Sequence, residues 1–451
     1  MESESAHDEA LLDQWPESSP GIDWDGANLL QLVEQDNSPF GDVLDVKSLV
    51  SEVEEGIGSG VSNIPRVYKG ANFYGFHIQL HGKPDVIARV SRHDVNGPDF
   101  GAQALEKRQA RQTSFELATY KALQPLDVAF SHGPIYSREP LAKQVDDRKS
   151  LLHGNKTSLT KHKSPRGILG RRIFLFEKAP GEHYDYGCWR ALSPPQKSCL
   201  LEEAARLAAT LFRFTPPHDF CHEWLTDRIL GPQNSDLCRH VVAPTRDFCA
   251  ALLDAKIQAT LLRVACRWPS LASLSLGLKD TLKELVPHVL PRPLEKLDEA
   301  ALYRFVLDHG DYGIHNMTVA IDGQGCPLVT SVYDWEAGTI VPVILSEPKM
   351  VVTADLTVDE QGEPSISRWG DGDTPSRMSE YAEWSRGYYK ELFAHVPEYR
   401  EAIRAGRHLR HIWFALRNMD KGCTEPQLFE LMDWAGAKMA AVGVDGAGRA
   451  D

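Results

Sequence analysis

The stretch His309–Glu336 reads HGDYGIHNMTVAIDGQGCPLVTSVYDWE. Its opening, His309-Gly310-Asp311-Tyr312-Gly313-Ile314-His315-Asn316, fits the spaced pattern H-x-D-x-x-x-x-N. An apolar run follows (Met317–Ile321), then a turn-rich break (Asp322-Gly323-Gln324-Gly325), then a second apolar run (Leu328–Tyr333). Two such runs around such a break predict a β-hairpin. The hairpin would carry Asn316 at its entrance and Asp334 at its exit, with Asp311 one loop away.

Phosphoryl transfer uses this set of groups: a carboxylate that orients and deprotonates a hydroxyl, and oxygen ligands for magnesium on the nucleotide phosphates. The segment resembles the catalytic loop and metal-binding motif of the aminoglycoside phosphotransferase family, small-molecule kinases of protein-kinase-like fold. HGDYGIHN is similar to that family's H-G-D-x-x-x-x-N loop, and Asp334-Trp335-Glu336 to its D-W-E motif. The resemblance implies an α+β, two-lobed protein-kinase-like fold, with a small β-rich N-lobe and a larger helical C-lobe. It implies ATP and Mg2+ as cofactors, Asp311 as the catalytic carboxylate, Asn316 and Asp334 as metal ligands, and His309 as a structural residue of the loop. Gly313 and His315 stand where many relatives have histidine and glycine, and Tyr312 replaces the commoner leucine. None of these departures removes a required ligand.

The 451 residues suffice for two or three domains or one large two-lobed enzyme. With 42% hydrophobic and 25% charged residues the chain is an ordinary globular protein. A net charge of −14 argues against a general nucleic-acid binder, which needs a basic surface to displace counterions. Eight scattered cysteines without a C-x-x-C pair read as core fillers of a reduced, cytoplasmic protein. The N-terminus lacks an apolar signal region, and no run approaches the roughly 18 apolar residues of a membrane span, so no membrane association is expected.

Residues 1–40, rich in Asp, Glu, Ser and Pro, predict a flexible acidic leader. Residues 41–180 would form the N-lobe and 181–451 the C-lobe. Val43–Val53 has apolar residues at helical spacing. From Arg66 the pattern turns to strands: Arg66–Lys69, a glycine-bearing loop Gly70–Gly75, an alternating run through Leu80, a turn, and Val86–Val90. The resemblance would have Gly70 let the backbone approach nucleotide phosphates, although two loop glycines serve equally as hairpin punctuation. Arg89 holds the position of the third-strand lysine that pairs those phosphates. Arginine offers a planar fork where lysine offers a point charge. An ordinary strand-edge arginine is the plain alternative. Glu106–Leu123 predicts a helix, on which Glu116 would pair with Arg89; Glu106 competes, but an acid near a helix start commonly just complements the dipole.

A polar, basic stretch at about 137–170 predicts an inserted surface loop. The apolar run Arg172–Phe176 leads into Glu177-Lys178-Ala179-Pro180-Gly181, which resembles the family's hinge, with backbone groups around Glu177 and Ala179 holding adenine. Lys197–Phe214, Phe248–Trp268 and Leu276–Val286 predict helices. An acidic loop is expected over Asp355–Asp373, then closing helices at Ser379–Phe393, Tyr399–Met419 and Pro426–Val442. Together these readings lead to an ATP- and magnesium-dependent phosphotransferase acting on a hydroxyl of a small molecule. The alternative is a kinase-like binding or regulatory protein that has lost turnover. The sequence carries no signal of oligomeric state.

Overall fold

The structure, a computed structural model, describes residues 15–19, 22–41, 44–70, 72–92, 102–139, 168, 171–226, 242–292, 298–369 and 373–443. The chain divides into two compact units, Met1–Pro180 and Gly181–Asp451. The first is built on a sheet and the second is mostly helical. This is the α+β division that the sequence leads one to expect.

The first unit opens with a small hairpin, β1 (Glu17–Ser19) and β2 (Ile22–Asp23), and a short helix α1 (Leu29–Glu34). Here the expectation of a flexible leader is corrected for the described residues. Trp15, Leu29, Val33 and Phe40 are buried in the unit's core. The Trp15 ring lies 5.6 Å from Phe40, and Phe40 lies 5.7 Å from Phe76 of the sheet. A few large apolar anchors outweigh an acidic composition, because each buried aromatic removes 150–250 Å2 of surface from water, roughly. Helix α2 (Val46–Ile57) follows, started by Asp45, whose side chain accepts from Ser48 N.

The sheet has five antiparallel strands in the order β3 (Val61–Lys69), β4 (Phe73–Leu80), β5 (Val86–Ser91), β7 (Ile173–Glu177), β6 (Pro134–Arg138). Along β4, buried Phe76, Ile78 and Leu80 alternate with less buried His77 and Gln79, the period of a strand with one covered face. Gly75 lies inside β4, opposite Tyr68 and Arg89, and not in the loop to which the sequence assigned it. Helix α3 (Ala102–Leu123) carries Glu116, while the side chain of Glu106 lies outside the described residues. The expected insertion begins later than about 137, since Ser137 and Arg138 complete β6; residues 140–167 lie outside the described residues.

The second unit starts with β8 (Glu182–His183), α4 (Tyr186–Ala191) and α5 (Pro194–Arg213). Ser193 and Gln196 form a capping box, and Pro194 occupies the first turn, so α5 begins where the sequence changes from loop to helix chemistry. Leu200, Leu201, Ala204, Ala205, Leu211 and Phe212 form its buried face. Helices α6 (His218–Trp224), α7 (Arg246–Arg267), α8 (Ala272–Val289) and α9 (Glu299–Tyr303) precede β9 (Phe305–Asp308).

The expected hairpin is β10 (Met317–Ile321) and β11 (Pro327–Val332), with Met317 opposite Val332, and β8 adds to its β10 side. Strand β12 (Thr339–Pro342) pairs with β9. Strand β13 (Met350–Val351), just before the expected acidic loop, forms a three-stranded sheet with β14 (Asp355–Val358) and β15 (Pro364–Arg368) inside that loop. Its alternation is short and interrupted by charge, which hid it in the sequence. The closing helices are α10 (Pro375–His395), α11 (Pro397–Ala405), α12 (Arg407–Lys421) and α13 (Glu425–Ala441). The chain breaks between α11 and α12 at Gly406, where a Cβ would lie 2.5 Å from the Ile344 carbonyl oxygen. Among the described residues no helix is long and apolar enough to cross a membrane.

Candidate functional site

In the second unit the loop after β9 is fixed from both ends. Gly310 has φ +80°, and a Cβ there would lie 2.0 Å from the carbonyl oxygen of Ala337, so glycine is required on two counts. His309 is buried and donates from Nε2 to the Tyr333 carbonyl at 2.8 Å, while its ring lies 4.5 Å from that of Trp335. Burial lowers its pKa, which keeps the imidazole neutral. The Tyr312 hydroxyl donates to the Ala204 carbonyl at 2.7 Å, anchoring the loop on α5.

Asp311 stands between these anchors with its carboxylate half exposed. Its Oδ2 accepts from His315 Nε2 at 3.0 Å and from Asn316 Nδ2 at 3.3 Å, and Asn316 Nδ2 also donates to the Asp311 carbonyl at 2.9 Å. The His315 hydrogen bond is the chief reason that the Asp311 carboxyl is pulled down to about 2, against the burial that would raise it. The exchanged glycine and histidine of the loop have a steric explanation. A Cβ on Gly313 would lie 2.7 Å from His315 Cε1, so the imidazole occupies the space that a side chain at 313 would fill.

The hairpin brings Asn316 and Asp334 to one end. Tyr333 N donates to the Asn316 carbonyl at 3.1 Å, and Asp334 is the next residue. Asp334 has φ 68° and ψ 56°, a left-handed conformation that only Asn28 and Asp36 approach among the described non-glycine residues. Such a backbone is sparsely populated for residues with a Cβ, and aspartate is among the few that tolerate it. It is held where β11 leaves the hairpin and turns towards β12. Sequence reasoning missed Tyr333 and His183. The Tyr333 hydroxyl donates to the His315 carbonyl at 3.2 Å and pairs with His183 Nδ1. Lys349, also missed, lies close enough to favour the ionised form of Asp311. No local sequence pattern announces these three; each reaches the loop through tertiary packing.

In the first unit Arg89 Nη1 lies 2.9 Å from Glu116 Oε1, and Glu116 is fully buried. The same carboxylate faces a second guanidinium, with Arg172 Nη1 3.9 Å from Oε2. Both arginines cover the ring of Phe73, at 4.2 Å and 4.7 Å from its centroid. Arg172 was visible in the sequence at the edge of a strand, with nothing to mark its partner. Gly70 is a turn glycine. Its N–H donates to the Phe73 carbonyl at 3.0 Å, its own carbonyl accepts from Arg92 Nη1 at 2.8 Å, and a Cβ would lie 2.6 Å from the Phe73 oxygen. That N–H is therefore engaged within the turn. Glu177 is exposed at the end of β7 and Ala179 is buried, while Lys178 N between them donates to the Asp85 carbonyl at 2.8 Å.

Asp311, Asn316, Asp334 and His309 are thus gathered within the second unit, and Arg89 and Glu116 are paired within the first. Among the described residues no three His, Cys, Asp or Glu side chains are grouped to hold a metal ion. Magnesium does not need such a cage. It keeps water and phosphate oxygens and takes one or two protein carboxylates. The Asp334 carboxylate and the Asn316 amide oxygen, at one end of the hairpin, fit that donor set.

No protein-family profile matches the chain, and no curated protein does. Among solved structures, the streptomycin–ATP–APH(2'')-IIa ternary complex matches with 12% identity and a TM-score of 0.42, covering 87% of this chain and 97% of the other. ADP-bound aminoglycoside phosphotransferase APH(2'')-Ib matches with 10% identity and a TM-score of 0.41, covering 88% and 99%. The macrolide 2'-phosphotransferase MphH apoenzyme from Brachybacterium faecium matches with 11% identity and a TM-score of 0.37, covering 90% and 99%.

Proposed function

We propose that this chain is a kinase-like phosphotransferase that moves the terminal phosphoryl group of ATP, with magnesium, to a hydroxyl of a small molecule. The observation that carries the reading is the loop and hairpin of the second unit. They assemble a carboxylate held in its ionised form, an amide oxygen and a second carboxylate in a strained turn, from residues 311, 316 and 334.

Asp311 would receive the acceptor hydroxyl. A carboxyl at about 2 is a weak base in the ground state, so its first task is to orient the hydroxyl. The proton follows late, once the bond to phosphorus has begun to acidify the hydroxyl, as a loose transition state allows. His315 occupies Oδ2 and thereby leaves Oδ1 to the acceptor. Asn316 and Asp334 would hold magnesium, which would supply positive charge to neutralise the nucleotide phosphates. Arg89 would pair with the phosphates and Glu116 would fix its guanidinium plane. Backbone groups around Glu177 and Ala179 would meet adenine, and Gly70 would shape the turn over the phosphates without donating its own N–H. His309 would join the loop to the Asp334 turn.

Calorimetric titration with ATP, with and without magnesium, tests the reading, with ADP release to water measuring turnover while the acceptor is unidentified. Magnesium-dependent ATP binding is expected, abolished in Asp334→Asn. Asp311→Asn should keep binding and lower ADP release by about 100-fold or more, the scale of a lost acid–base group. No binding at millimolar ATP would overturn the proposal. Tight binding with no ADP release and no acceptor in a screen of hydroxylated metabolites would favour a binding protein on the same fold.

A further inference from the structure

The sulfur atoms of Cys199, on α5, and Cys326, at the turn between β10 and β11, lie 2.9 Å apart. Both side chains are partly exposed, whereas Cys221 and Cys249 are buried. We propose that Cys199 and Cys326 are a peroxide-oxidised disulfide site that ties α5 to the β10–β11 turn.

Both residues sit on fixed backbone. The Asp322 carboxylate accepts from Gln324 N and Cys326 N, each at 2.8 Å, and Gln196 Nε2 of the α5 first turn donates to the Gly325 carbonyl at 3.1 Å. The helix and the turn are therefore already joined beside the thiols, and the remaining gap to a bond is about 0.9 Å, given a disulfide near 2.05 Å. A shared soft-metal site is the other chemistry open to two thiols, but among the described residues no third ligand joins them.

The surrounding cleft selects the oxidant. It is lined by Glu202, Glu203, Asp322 and Glu391, with Arg206 engaged by Glu203 at 2.8 Å. Four carboxylates repel an anionic oxidant such as glutathione disulfide and leave neutral hydrogen peroxide free to approach. The hydrogen bond to Cys326 and burial push the Cys199 thiol up to about 11, and the chemistry is the same whichever sulfur reacts first. With Cys326 first, its thiolate attacks one peroxide oxygen and the O–O bond breaks. This gives Cys326 sulfenic acid and a hydroxide, which takes up the proton released by the thiol. The Cys199 sulfur then attacks the sulfenic sulfur, the S–O bond breaks, and the departing hydroxide takes the Cys199 proton as water. One peroxide is reduced to two waters and two thiols are oxidised to one disulfide.

The reduced full-length protein, treated with a small excess of hydrogen peroxide, is the material for the test. Peptide mass spectrometry without reduction should find the peptides bearing Cys199 and Cys326 joined, two hydrogens lighter than their sum. Thiol titration of the denatured protein should fall from eight to six. The oxidised protein should melt several degrees higher, because the link closes a 127-residue span, and dithiothreitol should reverse the shift. Cys326→Ser and Cys199→Ser, checked for folding by circular dichroism, should show neither the linked peptide nor the shift. Oxidation of Cys266 with Cys199 and Cys326 left reduced would overturn the proposal, as would separate sulfinic acids at the two positions without a link.

Discussion

Asp311 and Asp308 are three residues apart, yet their surroundings drive their acidities in opposite directions. Asp311 lies about two units below its ordinary value chiefly because His315 donates to it. His315→Ala should let the carboxyl rise from about 2 towards 3.8, read by NMR titration of the side-chain carbon. A depressed folded pKa stabilises the protein above the unfolded value and loses that contribution as pH falls through the folded one, so the variant should also lose part of the wild-type acid sensitivity below about pH 4. Asp308 is the reverse case. Burial pushes it up to about 7, although Ser346 Oγ at 2.7 Å and Glu347 N at 2.9 Å donate to it and pull the other way. Between about pH 4 and 7 the folded chain keeps a proton that the unfolded chain has released, so stability falls as pH rises through that window. Asp308→Asn should remove this slope and gain on the wild type by up to about 4 kcal/mol at neutral pH, at about 1.4 kcal/mol per unit. Urea unfolding at about pH 5 and about pH 8 checks it, and parallel pH dependence in the two proteins would contradict it. In the first unit Glu116→Gln would leave Arg89 and Arg172 buried before a neutral amide. It should lower stability by about 3 kcal/mol, measured the same way.

At the scale of elements, the β10–β11 hairpin was legible almost to the residue, because apolar runs and a glycine turn are local signals. The loop before it was legible as a pattern, but its rigidity was not. Gly310 has positive φ and no room for a Cβ against Ala337, a residue 27 positions later in the chain. Gly310→Ala should destabilise the protein by about 3 kcal/mol or more, combining backbone strain with the clash. Gly323→Ala, in the turn of the same hairpin with open space around it, should be nearly neutral and serves as the control. Denaturation midpoints of the two variants decide the matter. The features that sequence reading missed share one cause. Arg172 on Glu116, Tyr333 under His315, and Cys199 against Cys326 join residues far apart in the chain, and no periodicity records such pairings. The strands within 355–368 escaped for a different reason, since four or five residues with a charge at one end give too little alternation to read.

For the whole molecule, the division falls at the Pro180-Gly181 break, which was legible in the sequence only through the resemblance of the apolar strand before it to a hinge. Composition misled at the N-terminus, where acidic and small residues conceal four core anchors. Removing residues 1–40 takes Trp15, Leu29, Val33 and Phe40 from the core of the first unit. Large-to-small changes at buried aromatic positions each cost about 3–5 kcal/mol, so the truncated protein should lose amide protection in β3, β4 and β5. Hydrogen-exchange mass spectrometry of the truncated and full-length proteins measures this. Unchanged exchange in those strands would return the segment to the status of a tail.

The left-handed turn at Asp334 bears on how this protein can change by mutation. A single-base change of an aspartate codon can give asparagine or glycine, and these are the two residues most at ease at φ 68°, ψ 56°. Both keep the turn and both discard the carboxylate. The chain therefore lies one base change from a folded protein without the carboxylate proposed to hold magnesium. Drift at this codon would be expected to yield proteins that fold but have lost the function proposed for Asp334, while other substitutions there also strain the fold.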